Sequence, residues 1–190
     1  MTTPKPTHLE PSLDKDETTF LDLGTGNGEM LFLLREEGGF KGRVVGVDYS
    51  HSSIQLCRQI ATKRGYALGP SFRGGMEFTQ WDIMNMKPRP QWIEGWDVVL
   101  DKGTFDAVSL SAEMDGEGRR ICEGYRDKVE GLVKKSGLLL VTSCNWTEEE
   151  LRGWFEGADL EVMGRVEYPV FKFGGMTGQS VCSVCFKKKS

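Results

Sequence analysis

An α/β domain with a mostly parallel, seven-stranded sheet is predicted by three features of this chain. Apolar runs alternate with helical patterns, a glycine-rich turn closes the first of those runs, and two consecutive strand-like runs stand at the C-terminal end. The strand-like runs are Thr19–Leu23, Arg43–Asp48, Met76–Gln80, Asp97–Asp101 and Gly137–Ser143. Helical patterns cover Glu29–Glu37, Ser52–Gly65, Glu117–Lys135 and Thr147–Glu156. Thr147 followed by Glu150 reads as a capping box and marks the start of the last helix. Ser50 is the expected cap of the second, with Ser52 and Ser53 as competitors. Segments 66–75 and 86–95, the latter with Pro88 and Pro90, read as surface loops.

The pattern changes after Gly157. Leu160–Phe171 and Gln179–Lys187 are strand-like, and the glycine-rich stretch between them has no room for a helix. They are expected to form an antiparallel hairpin. Five alternating units followed by a hairpin do not make the six-stranded all-parallel dinucleotide fold. The chain of 190 residues suits one domain, expected over 19–190. Residues 1–18, with Pro4, Pro6 and Pro11, are expected to form a short disordered segment.

Composition excludes several classes. With 38% hydrophobic residues, 27% charged residues and a net charge of −4, nothing favours nucleic-acid or membrane binding. No run is long and apolar enough to span a bilayer, and the N-terminus lacks the apolar core of a signal peptide. The five cysteines, odd in number and without an export signal, point to reduced thiols and a cytoplasmic protein, expected to be monomeric. Cys182 and Cys185 lie three apart on a strand-like run, so they face opposite sides and cannot clasp one metal. With only His8 and His51 besides, no metal site is expected.

The chemistry concentrates at Asp22-Leu23-Gly24-Thr25-Gly26-Asn27-Gly28, where a strand turns into a helix. Such a turn brings backbone close to a ligand at the carboxyl end of the first strand. The loop reads G-x-G-x-G, whereas a dinucleotide fingerprint requires G-x-G-x-x-G. Glu29 stands where a pyrophosphate would sit, which is electrostatically adverse. A ligand with a sulfonium cation and no phosphate meets no such objection. Four acids, Asp22, Asp48, Asp82 and Asp101, fall at the ends of four successive strand-like runs. Asp48 lies about 20 residues past the loop, the spacing at which a carboxylate accepts from ribose hydroxyls. Asp82 is placed to accept from an adenine amine while Ile83 packs on the ring. Asp22 and the Gly24 backbone face the amino-acid end. The combination points to S-adenosyl-L-methionine.

Three segments carry a family resemblance: Asp22–Gly28, Leu100-Asp101-Lys102-Gly103-Thr104-Phe105-Asp106-Ala107, and Ser143-Cys144-Asn145-Trp146-Thr147. From about Thr19 onward the chain resembles the seven-β-strand protein-lysine methyltransferases, in particular the Efm4-like branch that modifies translation elongation factor 1-alpha. The resemblance implies a Rossmann-like class I methyltransferase fold and transfer to a lysine nitrogen of a folded protein. It implies that Asp22, Gly24, Thr25, Gly26, Asn27 and Gly28, with Asp48, Tyr49 and Ser50, hold the donor. Asp82 and Ile83 then hold its adenine. Asp101, Thr104 and Phe105 line the transfer site, and Asn145 and Trp146 shape the lysine channel. It also implies a longer N-terminal segment closing over the donor, which residues 1–18 are too short to supply, so weakened donor binding is expected.

A lysine amine with a pKa near ~10.4 is neutral in only about 0.04% of molecules at pH 7. An apolar channel and the sulfonium charge both favour loss of its proton. Asp101 alone acts the other way, so its expected role is orientation or proton uptake through water. Lys102 reads as a solvated turn lysine. The alternatives are a methyltransferase of another protein, a small molecule or RNA, and a non-catalytic binding module that retains the fold.

Overall fold

The computed structural model describes residues 13–69, 74–157, 159–168, 171–173, 176–178 and 181–190. Its main sheet has seven strands: β1 (Phe20–Leu23), β2 (Val44–Asp48), β3 (Met76–Gln80), β4 (Trp96–Lys102), β5 (Val133–Ser143), β6 (Leu160–Val166) and β9 (Cys182–Lys188). Between the last two, β7 (Phe171–Phe173) and β8 (Met176–Gly178) make a separate two-stranded sheet. The order across the main sheet is β3-β2-β1-β4-β5-β9-β6. The first five strands pair in parallel, and β9 runs antiparallel to both β5 and β6. The reversal at β1, between β2 and β4, leaves a crevice at the carboxyl ends of these strands.

Every residue of β1 and β2 is buried, because parallel strands in the middle of such a sheet are covered on both faces. Alternate side chains feed two cores. Leu21, Val45, Val99, Leu139 and Val184 join one, while Phe20, Val44, Val98 and Leu138 join the other. Cys182 belongs to the first core and Cys185 packs against the second, on opposite faces as the spacing predicts. The helices are α1 (Glu29–Glu36), α2 (His51–Lys63), α3 (Thr104–Leu110), α4 (Tyr125–Glu130) and α5 (Glu148–Phe155). Ser50 caps α2 by accepting from the Ser53 N–H, and Thr147 with Glu150 forms the capping box of α5.

Three expectations differ from the structure. The helix expected over Glu117–Lys135 is confined to a 3₁₀ turn at Ile121–Gly124 and to α4. Asp115 accepts from the N–H groups of Glu117 and Arg119, and such local bonds compete with a helix. At the other end Val133 already pairs with Trp96, so the chain has become strand. Regular pairing of β5 with β4 begins at Leu138, after an irregularity that holds Ser136 at φ 61°.

The C-terminal hairpin forms between β6 and β9, but the first arm is shorter than expected. The third difference is α3, a helix of only two turns that is not among the helical patterns read from the sequence. Its inward positions include Asp106 and Ser109, so it has no apolar periodicity to read.

The segment 1–18, expected to be disordered, lies outside the described residues up to position 12. Residues 13–18 are packed on the domain. The Thr18 N–H donates to the Asp14 carbonyl and the Lys41 N–H to that of Lys15, while Leu13 contacts the second core.

Candidate active site

A cavity of about 390 Å³ opens at the carboxyl ends of β1 to β4. Of the residues singled out from the sequence, Gly24, Asp48, Tyr49, Asp82, Ile83 and Thr104 line it. The glycine loop forms one wall. Gly24 has φ +61°, and a Cβ built there would lie 2.1 Å from the Thr104 Oγ1. A side chain is therefore excluded at this turn, and backbone faces the cavity. Thr104 is held in place because its hydroxyl donates to the Leu23 carbonyl at 2.7 Å.

Asp48 ties the loop to the next turn. Its carboxylate accepts from the Gly26 N–H at 3.0 Å and from the Ser50 N–H at 2.8 Å. Two bonds leave a carboxylate with about two further acceptor positions, and Asp48 lines the cavity. Tyr49 beside it is 74% exposed. Asp82 closes a turn of its own, accepting from the N–H groups of Met84 and Asn85 and from the Asn85 side-chain amide. Trp81 and Ile83, both buried, provide apolar surface on that side.

Thr25, Gly26, Asn27, Gly28 and Ser50 frame the loop and are not among the residues lining the cavity. The Thr25 hydroxyl donates to Asp22 at 2.6 Å, and the Asn27 side chain accepts from the Glu29 N–H at the start of α1. Asp22 is itself buried beneath the loop. Burial pushes its carboxyl up to about 7, the Thr25 hydroxyl opposes that rise, and the nearby Asp101 adds to it.

That shift fixes a pH dependence. The folded-state value lies above the ordinary 3.8, so the folded protein holds the proton more tightly. The stability this contributes is fully present below pH 3.8 and is lost as the pH rises through about 7. Asp22→Asn keeps an acceptor for Thr25 without the charge. It is expected to melt higher than the wild type at about pH 8, with the gap closing towards about pH 4. A gap that stays constant across that range, measured by thermal melts, would show that the buried charge of Asp22 is not what sets the difference.

Asp101 is 1% exposed and does not line the cavity. Its carboxylate accepts from the N–H groups of Thr104 (2.9 Å) and Phe105 (3.1 Å) and from the Tyr125 hydroxyl (2.6 Å). It thus satisfies the N-terminal donors of α3. Burial pushes its carboxyl up to about 6, against the pull of these three donors, and burial, with the Asp101 charge adding to it, holds the Tyr125 phenol well above its usual range. Phe105 is 1% exposed and lies in the core among Tyr125, Trp146, Trp154 and Phe155.

Asn145 and Trp146 line a second cavity of about 230 Å³, with Cys144, Glu148 and Cys182. Asp106, which the sequence did not single out, joins this loop to α3. It accepts from the Ser143 hydroxyl at 2.5 Å and from the Cys144 N–H at 2.9 Å. The Ser143 oxygen in turn accepts from the N–H groups of Asn145 and Trp146, and the Trp146 indole donates to Ser109. The signal for Asp106 was a second acid in the segment Asp101–Ala107. Nothing in the sequence marked Tyr125, because its partner is distant in the chain.

Residues 14–175 match the methyltransferase domain family. The chain is 40% identical over 176 residues to the protein-lysine N-methyltransferase EFM4 of Saccharomyces cerevisiae, covering 92% of this chain and 72% of that protein. It is 35% identical over 172 residues to EEF1A lysine methyltransferase 2 of Homo sapiens, covering 90% of this chain and 66% of that protein. A SAM-dependent methyltransferase from Aquifex aeolicus superposes with a TM-score of 0.64 at 18% identity, covering 92% of this chain and 85% of that one. At that identity the superposition concerns the fold, a Rossmann-like class I methyltransferase sheet. By sequence, the chain belongs to the EFM4-like family of protein-lysine methyltransferases.

Proposed function

We propose that this protein transfers a methyl group from S-adenosyl-L-methionine to a lysine side chain of translation elongation factor 1-alpha. The observation that carries the donor reading is the cavity at the ends of β1 to β4, with Gly24 backbone on one wall and Asp48 beside it. Its volume of about 390 Å³ falls in the range of small-molecule sites, ~300–1,000 Å³. The residues present fit the donor. Asp48 retains acceptor capacity for ribose hydroxyls, Asp82 stands on the same wall, and Trp81 and Ile83 offer apolar surface to an adenine ring. The protein substrate is taken from the names of the relatives, which include an EEF1A lysine methyltransferase. The reaction is placed in the cytoplasm with that substrate, carried out by a monomer.

Bound S-adenosyl-L-methionine supplies an activated methyl group, so the chain's own task is alignment and a neutral amine. The Gly24 turn and Thr104 hold one end of the cavity, and Asp48 anchors the loop at the other. Asp101 orients α3 through its backbone bonds and stays out of contact with the cavity. Asn145 and Trp146, held by Ser143 and Asp106, are assigned to the approach of the lysine. The apolar walls near Val108 and Ile121 favour the neutral amine by desolvation.

The test is transfer of a labelled methyl group to purified elongation factor 1-alpha, with calorimetric titration of the donor in parallel. Donor binding together with incorporation on lysine is the expected result. Binding of the donor without incorporation would overturn the substrate, and a folded chain that binds no donor would overturn the enzyme reading in favour of a binding module.

A further inference from the structure

Among the described residues, four charged side chains line the donor cavity: Asp48, Asp82, Glu113 and Lys102. Lys102 is therefore the one cation among them. It ends β4, where its backbone pairs with Thr142, and the Gly103 N–H donates to the Thr142 carbonyl at 3.0 Å. The backbone carrying this lysine is thus fixed between β1 and β5. Among the described residues no carboxylate lies within 4.0 Å of its ammonium, whereas Lys41 pairs with Asp16 at 3.2 Å and Lys134 with Asp97 at 2.9 Å.

The position of this charge follows from the strand order, in which β4 lies on one side of β1 and β2 on the other. Lys102 pulls the buried Asp22 carboxyl down, so its charge is felt beneath the glycine loop. Asp48 and Asp82 occupy the ends of β2 and β3 on the other side of β1. Lys102 thus stands across β1 from Asp48 and Asp82, in a cavity whose remaining charged residue, Glu113, is a further acid.

S-adenosyl-L-methionine carries one group that a cation can meet. Its adenosine end offers hydroxyl and amine donors and no charge, while its amino-acid end carries, beside the sulfonium and an ammonium, the donor's one anionic group, the α-carboxylate. With Asp48, Asp82 and Glu113 the wall is otherwise acidic, and holding that carboxylate there without a cation would be costly. Resting on the donor reading above, we propose that Lys102 is the residue that recognises the donor's α-carboxylate. Charge-assisted hydrogen bonds of this kind are among the stronger polar contacts a pocket makes.

The experiment is calorimetric titration of wild type, Lys102→Ala and Lys102→Arg with two ligands, S-adenosyl-L-methionine and its decarboxylated analogue. Lys102→Ala is expected to weaken the first about tenfold and to leave the second within about twofold, with Lys102→Arg near wild type for both. Equal weakening of both ligands, or of neither, would overturn the role of Lys102 while leaving the donor site intact. A wild-type chain that binds neither ligand would overturn the donor reading and this inference with it. Lys102 is exposed, so the substitutions do not touch the core.

Discussion

Asp48→Ala is expected to lower the affinity for S-adenosyl-L-methionine about 100-fold while the domain stays folded. Two losses combine. The carboxylate holds the Gly26 and Ser50 N–H groups, so its removal frees the glycine loop from the end of β2. It also removes the acceptor for ribose hydroxyls, and hydrogen bonds to a charged group contribute ~1.5–3 kcal/mol each. Two such bonds correspond to about two orders of magnitude in the dissociation constant. The fold survives because Asp48 belongs to neither hydrophobic core. Calorimetry with a thermal melt in parallel checks both halves. An unchanged dissociation constant would move the ribose away from β2.

Phe105→Ala has the opposite signature. Phe105 is buried against Phe155 (ring centroids 4.9 Å), Trp154 (5.3 Å), Tyr125 (5.4 Å) and Trp146 (5.9 Å). Truncating such a ring leaves a cavity that rigid neighbours cannot fill, at a cost of ~3–5 kcal/mol. In a domain of this size that lowers the melting temperature by about 10 °C. Urea unfolding gives the free energy directly. A loss below about 1 kcal/mol, with methyl transfer abolished, would return Phe105 to the substrate pocket that the family resemblance implied.

The two variants also separate what each part of the chain reveals. The place of Asp48 on the cavity wall was legible because it depends on local order: an apolar run, a carboxylate at its end, and a fixed distance from the glycine loop. Gly24 was legible for a similar reason, as part of a glycine-rich turn within one segment, whereas its closeness to the Thr104 hydroxyl, 2.1 Å from a built Cβ, came only from the packing. The burial of Phe105 was not legible, because a motif states which residues stand together and not which way each one points. Thr104 and Phe105 are neighbours in the chain, yet one lines the cavity and the other lies in the core. Asp101 follows the same logic. As a strand-end acid it reads as a site residue, and its partners Thr104, Phe105 and Tyr125 instead make it the cap of α3.

By itself, then, the sequence determined the sheet, the reversed last strand, the glycine turn and the carboxylate at the end of the second strand. Each of these is written in short-range periodicity, in turn chemistry or in spacing along one segment. The tertiary structure alone decided that Asp106 ties α3 to the loop after β5 and that Tyr125 reaches Asp101. It alone placed Lys102 as the cation on the cavity wall among the described residues. These are relations between residues far apart in the chain. They depend on how separate elements pack, and local pattern carries no record of that.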